Sequence, residues 1–251
     1  MLTFHKIMEG CEAGRADAWQ AFVAEYSPVF LAILRVYLRP AGASQAPEAW
    51  RATLRSLAAP GFEHLLSLDR QSEKELLLGL RRMALAQAAL LCRREPDVPP
   101  AAAFDGLQTL LRGRPLAHQQ ILFLKFSGYD DATIEKMLRA APTLLKRAYE
   151  EGQADVVPPD AGNWLGALER AWSNSTPDCV EPRKLIRIQE GQANWYDREP
   201  VERHVAACPH CLENWTALAE VRYWRREARP LAGREAAKLL EGLGLALARA
   251  R

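Results

Sequence analysis

Apolar residues recur at three- and four-residue spacing along almost the whole chain, and β-branched residues nowhere alternate with polar ones over a strand length. That periodicity predicts an all-α protein. A first helical pattern runs from about residue 14 to 25 and restarts at Ser27-Pro28, where Ser caps and Pro occupies the first turn; it continues to Leu38 and is stopped by Pro40. A second is opened by Pro47 and carried to Leu57, before Pro60-Gly61 breaks the chain. A third begins with Ser72-Glu73-Lys74-Glu75, a capping box, and buries Leu76, Leu77, Leu80, Met83, Ala84 and Leu91.

Two Pro-containing segments divide the pattern. Residues 93–100 and 156–162 read as linkers, so three helical domains are expected, over 1–95, 101–155 and 163–251. Residues 234–251 put Leu239, Leu240, Leu243 and Leu247 on one helical face, expected to dock on the body or on a partner. No internal repeat of fixed period is present. The seven tryptophans, Trp195 among them, fall at helical positions and are expected to fill the core.

Charge changes this picture little. With 33 Lys+Arg against 31 Asp+Glu, the net charge of +2 excludes a protein that coats nucleic acid by bulk attraction; any DNA contact must come from local patches. No export signal or membrane-spanning run is evident, which predicts a cytoplasmic protein without a membrane partner. In that compartment three clustered cysteines point to metal rather than to disulfides.

The sharpest local signal is His204-Val205-Ala206-Ala207-Cys208-Pro209-His210-Cys211. Helical spacing brings His204 and Cys208 to one face, and the Cys-x-x-Cys turn returns Cys211 to the same point. Cys179, expected on the preceding helix, completes a Cys₃His set suited to tetrahedral zinc, closed to substrate. Against this stand thiols that merely pack between helices and a redox dithiol. The latter lacks its βαβ setting. His210 is a less favourable substitute for His204, because it sits inside the turn and is expected to point outward. No catalytic constellation competes: His5, His64 and His118 have no nucleophile with an orienting carboxylate, and no phosphate-cradling glycine loop occurs, so the chain is not read as an enzyme.

Cys179, the run from Val201 to Cys211 and the following Leu212-Glu213-Asn214-Trp215-Thr216-Ala217-Leu218 resemble the zinc-binding anti-sigma domain of bacteria over about residues 175–229. The resemblance implies Cys179, His204, Cys208 and Cys211 as ligands of a helical bundle that binds a sigma factor. Upstream, Gly14-Arg15-Ala16-Asp17-Ala18-Trp19 through Tyr26-Ser27-Pro28 resembles the opening of region 2 of extracytoplasmic-function sigma factors. Leu116-Ala117-His118 through Asp130, with Ile134 to Leu138 and Thr143 to Arg147, is similar to region 4, which carries a helix-turn-helix.

Helix-turn-helix logic then nominates Thr143, Lys146 and Arg147 for the major groove, with Lys136 and Arg139 for phosphates. The other reading of Lys146 and Arg147 is a solvated helix face, since Glu150 and Glu151 follow. The chain is thus expected to be a transcription regulator: a divergent sigma-like pair of domains controlled in cis by a zinc-binding domain. Core RNA polymerase and promoter DNA are its expected partners, together with a protein partner through the C-terminal domain. The alternative is an interaction scaffold that keeps the fold and no longer reads promoters.

Overall fold

The computed structural model describes residues 3–39, 44–92, 100–150 and 160–241. These residues form α-helices joined by turns, with no strand, as the periodicity requires. In chain order they are α1 (Phe4–Glu12), α2 (Ala16–Tyr37), α3 (Ala46–Leu57), α4 (Glu63–Ser67), α5 (Glu73–Cys92), α6 (Pro100–Leu111), α7 (Leu116–Ser127), α8 (Asp131–Leu138), α9 (Pro142–Glu150), α10 (Ala161–Ser173), α11 (Pro182–Gln189), α12 (Trp195–Ala207), α13 (Pro209–Glu227) and α14 (Gly233–Glu241). None is long and apolar enough to cross a membrane.

The chain divides into two compact units, one of Met1–Leu91 with Val221–Arg251 and one of Cys92–Glu220. Helix α13 therefore begins in the second unit and ends in the first.

In the first unit α2 is the central element. Its buried side chains include Trp19, Phe22, Tyr26, Phe30 and Ile33, and Phe30 stacks on Trp50 of α3 with ring centroids 4.8 Å apart. The indole N–H groups find internal acceptors, Trp19 donating to Cys11 O at 3.1 Å and Trp50 to Ser27 Oγ at 2.8 Å, so neither ring carries an unpaired donor into the core. The capping box forms at α5: Ser72 Oγ accepts from Glu75 N and donates to the Glu75 carboxylate. Leu76, Leu77, Leu80 and Ala84 are buried, whereas Met83 is half-buried and Leu91 exposed. Arg81 is buried instead, its guanidinium donating to Tyr37 Oη at 2.6 Å.

The expected restart of the helix at Ser27-Pro28 does not occur. Helix α2 runs unbroken through Pro28. Proline removes the N–H that Ala24 O would accept four residues on, and the Leu231 N–H supplies that bond at 2.9 Å. The segment after α13 thus repairs α2. Arg225, near the end of α13, reinforces the attachment with ion pairs to Glu25 at 3.1 Å and Glu73 at 3.0 Å, over the Tyr26 ring. Helix α14 packs on α2 and buries Ala236 and Leu240, as the apolar face predicts for its first half. Leu243 and Leu247 lie outside the described residues, as does Glu151.

In the second unit α6 packs along α10, and α7 is held by α9, α8 and α12. Trp164 of α10 stacks on Phe126 and meets Phe123 edge-on, and its indole donates to Ser127 Oγ at 3.2 Å. Tyr129 donates to the buried Glu220 of α13. Asp130, Asp160 and Asn194 each cap a helix by accepting from the N–H three residues on. The turn between α8 and α9 lacks a glycine, and Arg139 takes the left-handed conformation there at φ 53°.

Trp19, Trp50, Trp164 and Trp215 are buried as expected, Trp172 and Trp224 are half-buried, and Trp195 departs furthest from the expectation. Trp195 is 68% exposed and its neighbour Tyr196 86%, whereas Val201 and Val205 farther along the same helix are buried.

Candidate metal centre

Three local structures deliver the cluster. His204 lies on the last turn of α12, Cys208 at the junction where that helix ends in extended backbone, and Cys211 on the first turn of α13, which Pro209 opens. Pro209 suits that place because its missing N–H would have had no helical acceptor.

Cys179 comes from the loop between α10 and α11, not from a helix as expected. Its loop is a tight turn, Cys179 N donating to Thr176 O at 3.0 Å, with Pro177 at the second position, where a fixed φ favours such a turn. The turn aims it inward.

The four ligand atoms lie within 4.8 Å of one another, and the Sγ atoms of Cys179 and Cys208 are 3.7 Å apart. A tetrahedron built on metal–sulfur bonds of about 2.3 Å has edges of roughly 3.8 Å, so this pair already has the spacing of a bound metal's donors. His204 Nε2 is buried and has no hydrogen-bond partner among the described residues. A buried ring nitrogen left unpaired costs about 1–3 kcal/mol, and a metal ion is a partner that would remove the penalty. The group can hold a metal ion.

Two residues absent from the sequence reading help prepare the sulfurs. Thr176 N–H donates to Cys179 Sγ and Val180 N–H to Cys211 Sγ, both at 3.3 Å. Such bonds draw charge from thiolates and orient them. The only trace in the sequence was the Thr176-Pro177-Asp178-Cys179 turn. The Cys211 thiol donates to Cys208, which holds Cys208 down to about 4 against the opposing effect of burial; that same bond, with burial, pushes Cys211 up. Binding a metal displaces the protons that the thiols still carry.

His210 does not point outward. It is buried, and its Nδ1 donates to Ala171 O at 3.3 Å, so the ring ties the first turn of α13 to α10 rather than competing with His204. The nominated DNA contacts all lie at the surface: Lys136 on α8, Arg139 in the turn, and Thr143, Lys146 and Arg147 on α9. Lys146 is paired with Glu150 at 3.6 Å. No family model matches the chain, and neither does any curated protein or solved structure.

Proposed function

We propose that the chain is a transcription regulator in which two sigma-like helical segments are held in cis by a C-terminal segment organised around zinc. The observation that carries this reading is the division of the C-terminal segment between the two units. Within one, Arg225 and Leu231 bind α2 and α5. Within the other, Gln119 of α7 donates to Ala206 O at 3.0 Å, two residues before Cys208. Each segment that resembles a sigma region is therefore bonded to the segment that resembles an anti-sigma domain.

Three sulfurs and one imidazole form a donor set that suits Zn²⁺, a borderline-soft ion without geometric preference. Bound there, zinc would supply structural cross-linking rather than Lewis-acid chemistry, since four protein ligands leave no open position. Cys179, Cys208 and Cys211 hold it by sulfur and His204 by its ring, and the Thr176 and Val180 amides orient the sulfurs.

The test is copurification with core RNA polymerase, comparing the full chain with its Cys208→Ser/Cys211→Ser variant. Polymerase bound by either form, and more by the variant, supports the reading; none bound by either sinks it. A second reading, an interaction scaffold that does not read promoters, is favoured by the Lys146–Glu150 pair, which places a carboxylate beside the nominated phosphate contact, and by exposed Trp195 and Tyr196. Promoter-length DNA titrated across salt separates the two. On the first reading Lys146→Ala/Arg147→Ala flattens the log–log slope by about one per lost contact. On the second, the chain shows no binding at low salt.

A further inference from the structure

A cavity of about 390 Å³ opens beside the metal cluster, within the second unit. Its walls come from α6, the turn after it, α7, α10, the end of α12 and the start of α13, and they include Cys208 itself. Phe104, Leu111, Phe123 and Leu212 are buried side chains that make its interior apolar. Among the described residues three arginines also line it, Arg112, Arg114 and Arg203, and no carboxylate does.

The asymmetry is chemical as well as electrical. Arg112 and Arg203 are exposed and so belong to the rim, while the aromatic and aliphatic groups lie deeper. Arg203 has an exposed partner in Glu199, one turn away, and exchanging so weak a surface pair for a ligand's anion has little energetic cost. Arg114 is half-buried, with its Nε donating to Leu110 O, so it adds fixed positive potential at the wall. Gln119 frames the cavity: its Nε2 donates to Arg114 O at 2.9 Å and to Ala206 O at 3.0 Å, tying the turn after α6 to the end of α12. The walls are thus linked before any ligand arrives, which limits the ordering that binding requires.

We infer that this cavity is a binding site for a small amphipathic carboxylate, whose apolar body lies among Phe104, Leu111, Phe123 and Leu212 and whose carboxylate meets Arg112 and Arg203 at the rim. The volume is that of a small-molecule pocket, and a mostly apolar lining with a few placed charges is the usual composition of one. Arginine provides a fork that matches a carboxylate in geometry as well as charge. The site stands whether or not the protein engages polymerase.

Calorimetric titration of the full chain with decanoate, and with decan-1-ol as its uncharged counterpart, tests it. One decanoate should bind per chain, at least tenfold more tightly than the alcohol. Arg112→Ala/Arg203→Ala, two exposed changes that leave the core intact, should weaken decanoate at least tenfold and leave the alcohol unchanged. Gln108→Trp, a half-buried lining position on α6, should abolish both, with metal content and helicity showing that the variant is folded. The inference is overturned by no binding of decanoate at millimolar concentration, by equal binding of acid and alcohol, by an arginine variant that binds decanoate as the parent does, or by full binding in a folded Gln108→Trp chain.

Discussion

The Leu231 amide donates to the carbonyl of Ala24 at 2.9 Å, and that carbonyl is the one Pro28 leaves without an intrahelical donor. Two residues more than two hundred positions apart thereby settle whether α2 is one helix or two. The bond also ties residues following α13 to the central helix of the first unit, where Arg225 adds its two ion pairs.

This relationship predicts a coupled pair of substitutions. Leu231→Pro removes the donor and should cost about 1–2 kcal/mol by leaving a partly buried carbonyl unpaired. Pro28→Ala restores an N–H within the helix, so in that background Leu231→Pro should cost less by about 0.5–1 kcal/mol. Denaturant unfolding of the four proteins measures the coupling, in which any strain from the new proline itself cancels. Strictly additive effects would refute the repair.

Metal content is the next quantity to measure. Elemental analysis should find about one zinc per chain, as four protein ligands require. Cys208→Ser or His204→Ala should reduce it to a small fraction of that, and hydrogen exchange should rise in α11 and α12, whose ends the ligands hold, because site formation and local folding are coupled. Full metal retention in Cys208→Ser/Cys211→Ser would dismiss the assignment.

At the turn between α8 and α9, Arg139 has positive φ. A non-glycine residue there costs about 1–2 kcal/mol, of which the greater backbone entropy of unfolded glycine returns part. Arg139→Gly should therefore stabilise the chain by about 0.5–1 kcal/mol, read as a raised denaturation midpoint. A lowered midpoint would mean that the side chain contributes more than its conformation costs.

Acid should loosen the contact between α7 and α8. Lys125 donates to the Asp131 carboxylate at 2.7 Å and holds it below the ordinary carboxylate range, with Tyr149 donating at 2.8 Å as a further cause. A lowered carboxylate stabilises the fold fully above its unfolded value, and that contribution is lost as pH falls through the lowered value. Both Lys125 and Asp131 are partly exposed, so the amount is under about 1 kcal/mol. Asp131→Asn should flatten the stability profile below about pH 4 and leave its shape near neutrality unchanged; an unchanged acid limb would show that the pair contributes nothing.

Much of the candidate site was legible because its signals are local. His204, Cys208 and Cys211 are within one helical turn or one Cys-x-x-Cys turn of each other, and backbone geometry alone brings such residues together. The capping box at Ser72 was legible for the same reason. Cys179 could be nominated as a fourth donor, but its loop turn depends on Thr176 and Pro177, and only the folded chain places its sulfur 3.7 Å from that of Cys208. His210 was misread because its acceptor is Ala171 O, supplied by another helix.

Periodicity and the helix-breaking residues by themselves determined that the chain is helical, where α2, α3 and α5 begin, and which residues can converge on a metal. Tertiary structure decided the continuity of α2, the burial of Arg81 against Tyr37, the exposure of Trp195 and the sharing of α13 between the two units. The division follows from range. Propensity and i, i+4 geometry act within a turn or two of the chain, whereas the partner of an orphaned carbonyl, a buried charge or an indole ring comes from wherever the fold brings a complementary group, and that location is written nowhere near the residue that needs it.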